Sequence, residues 1–560
     1  MPNTLTLEIK GMTCTGCATH IQKALTSVPG VIAAQAPGWQ SGKAIVRVQN
    51  DVPVDALLQA VAEAGYQVSL PEVVAEPSAP LVETAAPPFQ LTPSHDYDLI
   101  VIGTGGGGMA AAIRGAEKGA RIAIIEAGTI GGTCVNIGCV PSKILIRAAE
   151  QAHRAAHSAF AGVRTQTTGI DWPGIRAQKD ALVARLRQGK YIDVLAAYPG
   201  AITLIRGRAR LTPERRVAVG DRVLSSRAII IATGARPRIL PIPGVEEVDV
   251  LNSASVMDID HLPESMIVIG GRSIALELGQ MFARLGVKIT LLQRSPRILP
   301  EHEPEISQAL TDYLQAEGLR VVTGVTLHAM HRSGDKKAVE AEIHGQDFTL
   351  KAEEILMAAG REPNSRNMGL EEAGVELDDG GFILVDEHLR TAAPGVYAVG
   401  DVTTLPKFVY TAAAAGGVAA THALGQGDAA LNLSGMPAIV FTDPAVATVG
   451  LTEAQARAQG YNVAVSVLEM KHAPRALAAF DTRGLIKLVA DRSTDQLLGA
   501  HILAPEAGEM IQPAAMAIRF GIPLSSFRDA LFPYLTNVEG VKLAALAYEK
   551  DPAMLSCCAG

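Results

Sequence analysis

The chain carries six cysteines among 560 residues, and none of them stands alone. Cys14 pairs with Cys17, Cys134 with Cys139, and Cys557 with Cys558. Six cysteines are too few for a disulfide scaffold; in a reducing compartment such close pairs serve as metal ligands or redox couples. The first pair stands in Gly11-Met12-Thr13-Cys14-Thr15-Gly16-Cys17, a C-x-x-C loop that opens a helix. Two thiolates at that spacing bind a soft cation in two-coordinate fashion, and an exposed loop permits ligand exchange; a thioredoxin-type redox couple is the competing chemistry. The second pair stands in GGTCVNIGCVPSK, residues 131–143, a Gly-rich turn entering a helix. These cysteines could close a small disulfide ring; the helix N-terminus, with Lys143 one turn on, favours thiolate. The third pair stands in Ser556-Cys557-Cys558-Ala559-Gly560. Adjacent Cα atoms lie ~3.8 Å apart, below the usual disulfide range of about 4.4–6.8 Å, so a vicinal bridge is strained. Two thiols on a terminal tail make a mobile ligand for a soft metal ion.

Electrons for a thiol couple need a carrier, and the sequence offers two carrier sites. Gly103, Gly105 and Gly108 spell G-x-G-x-x-G after the strand-like YDLIVIG and before a helix expected to run through Ala120. Gly103 permits the tight turn, Gly105 lets backbone approach a pyrophosphate, Gly108 permits close helix–sheet packing, and the helix N-terminus favours the anion. Glu126 follows Gly103 by 23 residues, at the end of the next strand, where a carboxylate can bond ribose hydroxyls. A second copy runs from SMIVIGG through a helix to KITLLQR. Its Gly270 precedes Gln293 by the same 23 residues, with Arg272 in the second Gly position and Ala275 in the third. Loss of the acid, with Arg294 beside it, suits a ribose 2′-phosphate, so the second site is expected to take NADPH. A solvated surface charge is the plainer reading of Arg294.

Around these sites the sequence reads as an α/β protein. Residues 1–69 alternate strand, helix, strand, strand, helix, strand, the βαββαβ order of a ferredoxin-like module. Pro71, Pro77, Pro80, Pro87, Pro88 and Pro93 mark residues 70–95 as an extended linker. Two Rossmann-like units follow, the second (257–385) inserted between two parts of the first (96–256 and 386–430). A C-terminal α+β unit covers 431–560. The net charge of −8 argues against nucleic acid and anionic membranes as partners. No apolar run reaches the ~20 residues of a membrane span, and MPNTLTLEIKGMTC lacks a signal-peptide layout, so a cytoplasmic protein is expected.

GTCVNIGCVPSK, IIIATGARP, VYAVGDV and FTDPAVATVGLTE together resemble the pyridine nucleotide-disulphide oxidoreductase family, from about residue 96 to the end. GMTCTGC likewise resembles the heavy-metal-associated domain. The first resemblance implies FAD on the first Gly-rich site, lined also by Gly132, Thr133, Thr233 and Gly234, with Gly400 and Asp401 near the ribityl chain. It implies a homodimer with shared active sites, built through the C-terminal dimerisation domain. Cys139 would lie against the flavin with Cys134 as the interchange thiol, and Lys143 would pair with Glu277.

One departure narrows the function. Family members that reduce disulfides carry a His-Pro-Thr segment near the C-terminus, whose imidazole protonates the leaving thiol. Here Phe532, Pro533 and Tyr534 stand in its place. Without that acid a disulfide substrate is poorly served. The three thiol pairs resemble instead the members of this family that reduce Hg(II) to Hg(0). That likeness places Tyr191 and Tyr534 at the metal site and makes all six cysteines metal ligands. It implies that Hg(II) arrives as thiolate complexes, with an uptake transporter as a conceivable donor. His20, one turn past Cys17, reads as a surface residue. A thioredoxin reductase-like dithiol relay and a non-catalytic soft-metal-sequestering protein are the alternatives; the first should keep the His, and intact CVNIGC argues against the second.

Overall fold

The computed structural model describes residues 3–10, 15–35, 43–48, 52–69 and 95–554. Cys14, Cys557, Cys558, the side chain of Cys17 and nearly all of the expected linker lie outside the described residues. The chain divides into two compact units, residues 1–90 and 91–560.

In the first unit the strands Asn3–Lys10, Val31–Gln35, Lys43–Val48 and Gln67–Ser69 form one antiparallel sheet. Asn3–Lys10 lies between Lys43–Val48 and Gln67–Ser69. The helices Thr15–Thr26 and Val54–Glu63 complete the βαββαβ order. Alternate strand residues Leu7, Ile9, Ala44, Val46 and Val48 meet Ile21, Leu25, Leu57 and Val61 of the helices in one core. Gly65, at φ +90°, ends the second helix. His20 is exposed, its ring edge-on to Tyr66 at 6.0 Å.

The second unit contains two five-stranded parallel sheets built alike. In the first, the order is Val396–Ala398, Ser226–Ile231, Tyr97–Ile102, Ile122–Glu126, Ile202–Arg206. In the second it is Leu251–Asn252, Glu354–Met357, Ser265–Ile269, Lys288–Gln293, Arg320–Thr323. The strand Val396–Ala398 returns to the first sheet only after the second is complete, so the second sheet is inserted in the first. The strands are apolar on both faces because helices cover one and a three-stranded antiparallel sheet the other, residues 209–224 packing on Ile100 and Ile102 and residues 325–352 on Ile267 and Ile269. The first helix, Gly106–Glu117, stops short of Ala120, because Gly119 turns the chain at φ +81°.

The last layer is an antiparallel sheet ordered Ala438–Val440, Ala445–Gly450, Gln496–Ala504, Leu485–Asp491, Val463–Glu469, packed against helices that include Gln512–Phe520 and Glu539–Leu546. Among the described residues no helix is long and apolar enough to cross a membrane.

Candidate active site

The two nucleotide turns repeat down to single hydrogen bonds. Gly103 N–H donates to Ile125 O at 2.8 Å, and Gly270 N–H donates to Leu292 O at 2.9 Å. A Cβ on Gly103 would strike the Ala232 carbonyl, and one on Gly270 the Ala358 carbonyl. Both glycines have positive φ, +110° and +128°. The copies part at the third position. A Cβ on Gly108 would collide with Gly103 O, whereas the second copy buries the methyl of Ala275 completely.

Both turns suit a dinucleotide. The helices Gly106–Glu117 and Ser273–Arg284 have neither a side-chain cap nor an acid in the first turn, leaving their first amides for phosphate oxygens. A Cβ on Gly105 would have nothing nearer than 3.9 Å, so the groove beside it is open to a ligand. Glu126 is held at the strand end by Thr104 N–H at 3.1 Å, the Thr104 hydroxyl at 2.5 Å and Gly128 N–H at 2.7 Å. In the second copy Gln293 is buried against Gly271, while Arg294 is exposed.

Cys134 sits on the short helix Gly132–Ile137, and Cys139 is the first residue of the 18-residue helix Cys139–Ala156. Gly138 breaks one from the other at φ −131°, ψ −116°, where a Cβ would come within 2.9 Å of Thr133 O. Asn136 pins the turn, donating to Ile130 O at 2.9 Å and Gly132 O at 2.8 Å and accepting from Arg187 at 3.1 Å. Cys134 is half-buried and Cys139 exposed, neither in a disulfide, with a hydrogen bond between their sulfurs. That bond divides their acidities. It holds Cys139 down at about 6, helped by Lys143, while the same bond and burial push Cys134 far up. The pair is thus one thiolate stabilised by one thiol.

Lys143 lies one turn along the same helix. Its Nζ is 2.6 Å from Glu277 Oε2 and 4.6 Å from the Phe441 ring centre. The other Glu277 oxygen accepts Phe441 N–H at 2.9 Å. Glu277 reaches this point because its helix docks on residues 441–443 through one face. Gln280 exchanges two 2.8 Å hydrogen bonds with the Asp443 backbone, and Arg284 pairs with the Asp443 carboxylate at 2.9 Å. Positions 277, 280 and 284 lie on one side of a helix; Glu277 was expected beside Lys143, and the polar Gln280 and Arg284 in an otherwise buried helix are the signal that sequence reading passed over.

Tyr191 stands in a π-helical turn, Gln188–Ile192, of the kind found often at functional sites. Burial, with the nearby Cys134 and Cys139, raises its pKa and keeps the phenol protonated. Tyr534 is half exposed, between the helices Ser525–Asp529 and Glu539–Leu546 of the C-terminal layer. Thr233 donates to Asn364 O at 2.9 Å, and Gly234 follows it at φ +69°. Gly400, at φ +73°, packs on Ala412.

Two further residues surround the pair without having been foreseen. Tyr410, whose hydroxyl bonds Pro437 O, is held up at about 12 by burial and by Cys139. Arg361 is buried against Ala235 O and Thr133 Oγ1, with its Nε 3.5 Å from Asp401. That Nε has no hydrogen-bond partner among the described residues, leaving a buried donor beside Asp401 for a ligand group. Nothing in sequence spacing marks Tyr410; Arg361 follows a strand in GREPN, which offered a weak cue.

A dithiol couple between two dinucleotide sites defines the class, and the chain belongs to the pyridine nucleotide-disulphide oxidoreductase family. That family's model matches residues 97–416, its dimerisation domain 436–545, and the heavy-metal-associated domain 6–67. Among curated proteins the chain is 42% identical to a mercuric reductase of Staphylococcus aureus over 100% of both chains. A mercuric reductase of Acidithiobacillus ferrooxidans is 44% identical, covering 99% of this chain and 98% of its own. One of Streptomyces lividans is 42% identical, covering 83% of this chain and 98% of its own. Among solved structures, the HOCl-induced flavoprotein disulfide reductase RclA of Escherichia coli matches with a TM-score of 0.72 at 29% identity, covering 80% of this chain and 99% of that one.

Proposed function

We propose that this chain is an NADPH-dependent flavoenzyme that reduces Hg(II) to volatile Hg(0). The observation that carries the proposal is the split thiol pair, Cys139 as thiolate and Cys134 as thiol, backed by Lys143–Glu277, in a chain matched end to end by mercuric reductases. FAD and NADPH are its cofactors and Hg(II) its substrate. Bound FAD supplies the two-electron couple between NADPH and the thiol pair.

The chain's own residues divide the remaining work. Gly103, Gly105, Gly108, Gly132, Thr133 and Glu126 cradle the flavin nucleotide, with Thr233, Gly234, Gly400 and Asp401 along its length. Gly270, Ala275 and Arg294 receive NADPH. Lys143, fixed by Glu277, sets a positive charge beside the redox pair. Hg(II) passes from Cys14 and Cys17 to Cys557 and Cys558, and then to Cys134 and Cys139 of a second copy, with Tyr191 and Tyr534 beside the metal. Each transfer forms one Hg–S bond as another breaks, so mercury is never free. In sum NADPH gives up two electrons and a proton, and Hg(II) takes both electrons.

The family's dimerisation domain supports a homodimer. We assign residues 1–69 as metal donor, 70–95 as linker, 96–256 with 386–430 as the FAD domain, 257–385 as the NADPH domain and 431–560 as the dimer layer. An uptake transporter would supply the first pair, and NADPH as reductant suits the cytoplasm.

The test follows NADPH absorbance with the purified flavoprotein, Hg(II) and excess small thiol, with oxidised thioredoxin and lipoamide as controls. Oxidation with Hg(II) alone, accompanied by mercury vapour, is expected. Oxidation only with the disulfides would make the chain a dithiol relay, closer in activity to a disulfide reductase, as RclA of Escherichia coli is named.

A further inference from the structure

The proposed reaction leaves unused a cluster of His388, His422 and Asp428 at the far end of the first parallel sheet. We propose that these three side chains form a second metal site, for a borderline divalent ion of the Zn(II) type, distinct from the thiol sites for mercury.

The fold brings the ligands together through a helix end. The helix Val409–Ala423 begins beside the Gly-rich turn, where Val409 touches Gly106, and runs along Gly106–Glu117. Tyr410 and His422 are twelve residues apart on it, about 18 Å at 1.5 Å per residue. Its C-terminus closes with Gly425 at φ +68°, where Gln426 N–H reaches back to Thr421 O and Gly425 N–H to His422 O. Gly427, at φ +152°, then folds the chain back, and Asp428 comes over His422. His388 stands on a separate loop that Asp386 shapes by accepting N–H from His388 and Arg390, each at 2.9 Å. Leu431 N–H donates to Glu387 O at 2.7 Å and joins this loop to the segment beyond Asp428.

The distances fit coordination better than hydrogen bonding. Asp428 Oδ1 lies 3.7 Å from His422 Nε2 and 3.8 Å from His388 Nδ1, too long for hydrogen bonds, while His388 Nδ1 is 3.3 Å from Ala429 O, a hydrogen bond that an ion at Nδ1 would replace. Ligand bonds of about 2.0–2.2 Å in tetrahedral geometry place donor atoms roughly 3.3–3.6 Å apart, so each His–Asp428 pair needs to close by only a few tenths of an ångström. All three ligand atoms lie within 4.8 Å of one another. Asp428 is the exposed member and is free to adjust, whereas both imidazoles are half-buried. Behind the site, the Tyr397 hydroxyl is 3.0 Å from His422 Nδ1. With Nδ1–H donating to that hydroxyl, Nε2 presents its lone pair toward Asp428, the outer-sphere arrangement that orients metal-binding histidines. Two imidazoles and one carboxylate, with no thiolate, select Zn(II), Ni(II) or Cu(II) over a softer ion. The ion would staple the end of the helix to the segment leading into the C-terminal layer.

The test must silence the cysteines. Flavin-loaded holoenzyme is reduced, blocked with N-ethylmaleimide and titrated with Zn(II) by calorimetry, alongside His422→Gln and Asp428→Asn. The expected result is saturable binding of one equivalent per chain, weakened at least tenfold in both variants, while unblocked variants keep wild-type Hg(II) turnover. Absence of saturable binding in the blocked wild type, or weakening of less than tenfold in either folded variant, overturns the site. Should His422→Gln fail to fold, Asp428→Asn, on an exposed side chain, decides the matter alone.

Discussion

Two thiols five positions apart are chemically alike until a proton is placed between them. The hydrogen bond that lowers Cys139 raises Cys134, so one proton shared by the pair creates a nucleophile and its resting partner together. With Cys139 at about 6, roughly nine-tenths of it is thiolate at pH 7. Alkylation of Cys139 in the reduced enzyme should therefore rise with pH through an inflection near 6. In Cys134→Ala, which removes the largest lowering influence, the inflection should move upward, as it should to a smaller extent in Lys143→Met. Rates of iodoacetamide modification against pH, read by mass spectrometry, check both directions. Glu277→Gln should lower the unfolding free energy by about 1–3 kcal/mol, because the amide cannot neutralise the partly buried Lys143, although it can still accept Phe441 N–H. Denaturant unfolding of the holoenzyme measures that cost.

At the scale of elements, the two nucleotide sheets are one device used twice with different tolerances. The first helix approaches its strand so closely that only glycine fits at Gly108; the second stands far enough away for the Ala275 methyl. Gly108→Ala should therefore expel the flavin and cost about 1–3 kcal/mol of overpacking, giving colourless or unstable protein. Ala275→Gly should keep flavin and lose about 1 kcal/mol, the helix propensity difference. Flavin-to-protein absorbance and thermal melts separate the two. Docking has the same local character. The face carrying Glu277, Gln280 and Arg284 fixes the second sheet's helix on residues 441–443, and so sets where Lys143 finds its counter-charge.

For the whole molecule, the chain divides at residue 90, and in the proposed reaction that division separates metal capture from reduction. Removing residues 1–90 should leave a flavin-binding protein that reduces Hg(II) at near wild-type rate with excess thiol present, and more slowly when external thiol is scarce. Steady-state rates across a thiol series test this. The Streptomyces lividans relative, whose alignment covers 83% of this chain, has about the length of the second unit alone. If the tail of one subunit feeds the thiol pair of the other, Cys139→Ala mixed with Cys557→Ala/Cys558→Ala should recover activity that neither homodimer has at low thiol. Recovery of about a quarter of wild-type turnover in reassociated mixtures would be the signature, because half of a random mixture is hybrid and each hybrid holds one complete site. No recovery would place the transfer within one chain.

Sequence by itself determined the elements whose signals are local. The glycine spacing, the apolar strands before it and the matching 23-residue interval were enough for two nucleotide folds, since a tight turn and a helix N-terminus are built from consecutive residues. Alternation in the first 69 residues likewise sufficed for the order βαββαβ. The cysteine pairs were visible because their chemistry depends on residue type and close spacing. What only the tertiary structure decided are relations between residues far apart in the chain. The burial of Arg361 beside Asp401, the approach of Tyr410 to Cys139 and the docking of Gln280 and Arg284 on Asp443 all cross such gaps. So does the meeting of His388 with His422 and Asp428, which depends on where a helix ends and which way two glycines turn the chain. Acidity follows the same rule. Which of two identical thiols becomes the thiolate depends on a hydrogen bond, on burial and on the Lys143 charge, and a linear spacing contains none of these distances.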